Sequence, residues 1–101
     1  MTPHVEIVWS QLALDDLTSI RDFIARTSPR YAHITANRLV ESVDRLAVFP
    51  ESGRVVPELG EPNVREVIHG AYRVMYERRE PDRIEILTVF RASRAFPNTA
   101  L

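Results

Sequence analysis

Thirteen arginines and no lysine carry the fixed positive charge of this chain. Four of them, Arg65, Arg73, Arg91 and Arg94, recur through residues 64–94. Arginine offers a planar, permanently charged fork that grips carboxylates and phosphates, but it cannot serve as a general acid or base. Proton transfer would therefore fall to a histidine, a tyrosine or a carboxylate. The three histidines lie apart: His4 before the first strand, His33 on a helix, and His69 beside Gly70 at a strand end. None has the spacing of a metal ligand, and only His69 lies near the arginines. Asp15 and Asp16, adjacent on a helix, diverge and suit solvent better than a shared proton or ion. There is no cysteine, which excludes disulfides and thiolate chemistry. Gly53, Gly60 and Gly70 are scattered and read as turn residues, not as a phosphate-cradling loop. No metal site and no cofactor are expected.

The elements that must hold these arginines follow from periodicity. Residues 5–9 alternate as a short strand, and Ser10 stands at the N-cap of a helix over 11–26 with Ala13, Leu17, Ile20 and Ile24 at helical spacing. Asp15 and Asp16 in its early turns and Arg26 at its end suit the helix dipole. Ser28 and Pro29 start a second helix that the apolar period carries to Phe49, where Pro50 ends it. The short connection makes these an antiparallel helical hairpin. Residues 51–63 read as a loop, with Val56 and Leu59 tucked onto the core. Residues 64–94 then hold three strands, two of them joined by a turn at Glu80-Pro81-Asp82-Arg83. The order β-α-α-β-β-β is α+β, a helical hairpin on one face of a mainly antiparallel sheet. The apolar segment 84–90 suits a central strand. The 101 residues make one domain, with a tail expected to be mobile beyond about Phe96.

If the strands are regular and their register aligns these sides, Arg65, Arg73 and Arg91 share the sheet face away from the helices, with Arg94 at its border. The plainer alternative is that they pair with Glu66, Glu77 or Glu85, or face water. Net charge is −1, which argues against broad non-specific nucleic-acid binding. No apolar run reaches the ~20 residues that span a bilayer, and no basic segment followed by an apolar one opens the chain. The expected location is cytoplasmic.

Several segments, in order and at matching spacing, carry a family likeness. They are Ala13-x-x-Asp16-Leu17-x-x-Ile20-x-x-Phe23-Ile24, Leu46-x-x-Phe49-Pro50-x-x-Gly53-Arg54, Pro57-Glu58-Leu59 with Arg65, and Tyr72-Arg73-Val74-x-Tyr76. Together they resemble the RelE/ParE superfamily, the toxins of type II toxin–antitoxin modules, over nearly the whole chain. The resemblance implies a cognate antitoxin as partner, whose C-terminal segment would lie along the helical hairpin and a sheet edge, near Leu14, Phe23 and Leu39. It also implies one of two targets. RelE-like members cut mRNA on the ribosome with lysines, arginines and a C-terminal tyrosine or histidine. Here Val67 stands at one basic position, Arg91-Ala92-Ser93-Arg94 replaces a histidine- and arginine-rich motif, and Phe96 cannot titrate. ParE-like members block DNA gyrase without an acid/base set, and the chain is similar to that branch, with Arg65, Arg73, Arg91 and Arg94 as target-binding residues. A non-toxic relative that only binds an antitoxin is a third possibility.

Overall fold

The computed structural model describes residues 4–97. Strand β1 (Glu6–Trp9) leads into helix α1 (Gln11–Ala25), then helix α2 (Pro29–Asp44) and a single 3-10 turn over Arg45–Ala47. A two-residue strand β2 (Arg54–Val55) precedes β3 (Val64–His69), β4 (Tyr72–Arg79) and β5 (Arg83–Arg91). The five strands form one sheet in the order β1-β5-β4-β3-β2. β1 pairs with β5 in parallel, and the other pairings are antiparallel. The expected α+β architecture stands, with three refinements. The segment expected to be all loop contains β2. The second helix stops at Asp44 and tightens into the 3-10 turn before Pro50, the usual way a last turn closes. The middle strand is β4; β5 lies one place from the edge.

Both helices start where a serine satisfies their free N–H groups. Ser10 Oγ accepts from the Ala13 N–H at 3.0 Å, and Ser28 Oγ accepts from the Tyr31 N–H at 3.2 Å. The Ser10 hydroxyl also donates to the Leu87 carbonyl at 2.9 Å, which ties the start of α1 to β5.

The helices cover one face of the sheet. Ala13 of α1 and Leu39 and Val43 of α2 are buried against Tyr72, Val74 and Tyr76 of β4 and Ile84, Ile86 and Val89 of β5. A second cluster fills the other face, where Val56, Val64, Met75 and Phe90 are buried with Leu59, Leu87 and Phe96 packed against them. No helix contributes to it, so the loop after β2 and the tail after β5 act as its lid. A bulge at Met75/Tyr76 pairs Met75 with Thr88 and Tyr76 with Ile86, which leaves Leu87 free to turn toward this second cluster. The turn between β4 and β5 holds a cis Glu80–Pro81 peptide. The tail beyond Pro97 lies outside the described residues.

Candidate functional site

The register separates the arginines that alternation was expected to gather. Arg65 stands opposite Tyr76 and Arg91 opposite Tyr72, whereas Arg73 stands opposite Ile68 and Phe90. Directly opposed residues share a face. Arg65 and Arg91 therefore belong to the helix-covered side, and Arg73 alone points to the far side. The convergent patch of Arg65, Arg73 and Arg91 does not form, because β3 and β5 each pair with β4 one residue out of step with the alignment it required.

Arg73 is a buried hub. Its Nε donates to Glu66 Oε1 at 2.7 Å, and its two terminal nitrogens donate to both oxygens of Glu58 at 2.8 and 2.7 Å. Glu66 is fully buried and also accepts from Arg54 Nε at 2.7 Å. The guanidinium carbon lies 5.0 Å from the ring centroid of Phe90 and 5.7 Å from that of Phe96, close enough for cation–π attraction. Hydrogen bonding from Arg73 holds the Glu58 carboxyl down at about 2, and the same pair lifts Arg73 further above its ordinary value. Two arginines meet two carboxylates in this cluster, so its formal charge is zero. A guanidinium with its fork and its Nε occupied has little left to offer a phosphate.

Tyr76 is also committed. Its hydroxyl donates to the Pro50 carbonyl at 2.9 Å and accepts from the Gly53 N–H at 3.1 Å, and burial pushes its pKa up. Gly53 is not a turn glycine: a Cβ there would lie 2.6 Å from both the Glu66 carbonyl oxygen and the Tyr76 hydroxyl. Gly60 and Gly70, with φ of 65° and 57°, fit the turn reading. Arg65 donates to the Gly53 carbonyl at 2.9 Å and so braces the same corner.

Arg91 and Arg94 lie elsewhere, in a groove of about 680 Å³ between α1, the C-terminal half of β5 and the tail. Leu12, Ile20 and Phe23 of α1 line it, with Arg26, Arg91, Arg94 and Pro97. Phe23 is 58% exposed and Leu12 40%, so the groove presents apolar surface flanked by arginines, with Asp16 and Asp22 of α1 also in its lining. The groove exists because β1 ends at Trp9, opposite Ile86, and leaves the rest of β5 without a neighbouring strand. Asp16 of α1 takes over there. Its carboxylate accepts from the Thr88 hydroxyl and from the Val89 N–H, the latter at 3.0 Å. The expectation that Asp15 and Asp16 both suit solvent is thus corrected for Asp16, whereas Asp15 accepts from Gln11 on the exposed surface at 2.9 Å.

Of the residues assigned to an antitoxin, Phe23 lines this groove. Leu39 has no exposed surface; it packs between α2 and the sheet and cannot meet a partner in this fold. Leu14 is exposed but lies nine positions from Phe23, two and a half helical turns, and so on the opposite flank of α1. The plainer alternative read from the sequence, an arginine paired with Glu66, is what Arg73 shows; what went unread is that Glu66 is fully buried and that Asp16 completes β5. Asp16 falls at helical spacing within the apolar stripe Ala13, Leu17, Ile20, where a charged residue needs a partner.

Among the described residues no three His, Asp or Glu side chains are placed to hold a metal ion, and no helix is long and apolar enough to cross a membrane. A family model described as the ParE toxin of the type II toxin–antitoxin system parDE matches residues 7–96. The chain belongs to the RelE/ParE toxin superfamily. The matched family is that of toxins of type II toxin–antitoxin systems. Toxin RelE2 of Caulobacter vibrioides is 48% identical to this RelE/ParE chain over 50 residues, which are 50% of the chain and 57% of that relative. The match thus spans little more than half the length of the curated relative. Two solved structures share the RelE/ParE fold. A chain of the chromosomal ParDE TA system from P. aeruginosa superposes with a TM-score of 0.71 at 23% identity, covering 87% of this chain and 96% of that one. A chain of the toxin–antitoxin complex RelBE2 from Mycobacterium tuberculosis gives 0.63 at 16% identity, covering 93% and 98%.

Proposed function

We propose that this toxin is held inactive by a cognate antitoxin lying in the groove between α1 and β5, and that it acts by binding its target, not by cutting RNA. The observation that carries the second half is the state of Arg73. A metal-free ribonuclease needs a cation free to take the phosphate and groups to move protons at the 2′-hydroxyl and the leaving oxygen. Arg73 has its Nε and both terminal nitrogens engaged by Glu66 and Glu58, and the Tyr76 hydroxyl is buried and bonded on both sides. Of the four arginines that recur through residues 64–94, Arg91 and Arg94 stay clear of the Arg73 cluster, and with Arg26 they line the groove. An antitoxin in that groove would cover the same arginines that engage the target, which explains neutralisation by simple competition. DNA gyrase is the target we infer for this mode.

A second reading has its own support. The 48% identity to a protein named Toxin RelE2 favours the RelE side by kinship, and with it ribosome-dependent mRNA cleavage. The two readings separate in vitro. Antitoxin-free protein should inhibit gyrase supercoiling of relaxed plasmid, and added antitoxin should relieve the inhibition. Undisturbed supercoiling at concentrations that stop translation would move the function to the RelE reading.

A further inference from the structure

We propose that Phe96 and Arg73 form a staple that fixes the tail wall of the α1–β5 groove, so that the ion cluster on the far face of the sheet sets how tightly the groove holds its partner. The inference rests on the reading of the groove as the antitoxin site. After β5, the Ala92 N–H donates to the Ala71 carbonyl at 2.8 Å and the Arg94 N–H to the Arg91 carbonyl at 3.0 Å. Beyond Arg94 no backbone–backbone hydrogen bond ties residues 95–97 to the other described residues. Yet Arg94, Ala95 and Pro97 form a wall of the groove. Phe96 holds that wall in place. It turns inward, away from the groove lining, and packs on the second core cluster. Its ring meets Phe90 edge-on, with centroids 6.1 Å apart and planes at 90°, and it lies 5.7 Å from the Arg73 guanidinium.

The anchor is firm because Arg73 cannot turn. Glu66 from β3 and Glu58 from the loop after β2 fix its plane through three hydrogen bonds of 2.7–2.8 Å, and a fixed cation presents a constant face to an aromatic ring. A path of contacts thus runs from Glu58 and Glu66 through Arg73 and Phe96 to the tail wall. Arg73 is in this view a positioning residue for a surface it does not line.

The test uses the complex obtained by co-expressing the native toxin–antitoxin operon, and the toxin freed from it. Hydrogen exchange of residues 91–97 and affinity for the co-expressed antitoxin are measured for wild type, Phe96→Leu, Phe96→Tyr and Glu58→Gln. Leucine keeps an apolar side chain but has no π face, and tyrosine keeps the ring. Phe96→Leu is expected to speed tail exchange and weaken the complex roughly tenfold, with Phe96→Tyr near wild type and Glu58→Gln between them. Amides of β4 should stay protected relative to those of the tail in every variant, which shows that the fold is kept. Equal tail exchange in Phe96→Leu and wild type overturns the staple, and a loosened tail with unchanged affinity overturns its link to the groove. If the antitoxin binds wild type without protecting the groove amides, the antitoxin-site reading fails and takes that link with it. The tail-exchange comparison then still decides the staple.

Discussion

Arg73 and its two carboxylates show how one side chain can read as a binding residue in sequence and serve as a hub in the fold. Glu66 is fully buried and faces two arginines. Removing its charge leaves Arg73 under-neutralised in a dry site, and such a break costs about 3–5 kcal/mol. Glu66→Gln should lower stability by roughly 3 kcal/mol in urea denaturation, whereas Arg30→Ala on the exposed helical surface should change it by less than about 0.5 kcal/mol. Glu58 supplies a pH signature. Its carboxyl falls from 4.5 to about 2 in the folded chain. A depressed folded value means its contribution is fully present above pH 4.5 and is lost as pH falls toward 2. The melting temperature of wild type should therefore exceed that of Glu58→Gln at neutral pH, and the gap should close between those two values. A gap unchanged at pH 2 would show that the Glu58–Arg73 pair does not supply it. Gly53 belongs to the same corner. With backbone and Tyr76 atoms at 2.6 Å from any added Cβ, Gly53→Ala should cost about 1–3 kcal/mol. The sequence marked Arg73 and Gly53 as members of recurring segments. It did not show why they recur, because both reasons are contacts made across strands and loops far apart in the chain.

At the scale of elements, periodicity carried most of the fold. Ser10 and Ser28 opened the helices as cap chemistry required, and the alternation Tyr72, Val74, Tyr76 placed the helix-facing side of β4 correctly. What periodicity could not supply was register. A one-residue difference in pairing sends a strand's side chains to the other face, and that difference separates Arg65 from Arg73. β2 was also out of reach, since two residues carry no period. The open half of β5 shows an element completed by a side chain from another. β1 covers β5 as far as Ile86, and Asp16 then satisfies the Val89 N–H and the Thr88 hydroxyl. Asp16→Ala leaves a buried threonine and a strand amide without that acceptor, at a cost of about 1–3 kcal/mol. Asp16→Asn keeps an acceptor oxygen and should lose less. Equal losses in the two variants, measured by thermal melting, would mean that packing and not hydrogen bonding sets the role of Asp16.

Across the whole molecule, the two arginine groups divide the work. The Arg73 cluster, formally neutral, locks the far face, and the groove arginines remain available on the other side of β5. Arg91→Ala with Arg94→Ala should abolish growth arrest on expression while leaving the melting temperature within a few degrees of wild type. Loss of toxicity in an Arg73 variant should instead track loss of stability. The most direct test of binding against cutting is the fate of mRNA on ribosomes incubated with antitoxin-free wild-type protein. At concentrations that arrest growth, end-labelled message should remain intact. Cleavage at defined codons, abolished by a folded Arg73→Lys variant, would contradict the account and make Arg73 a catalytic residue.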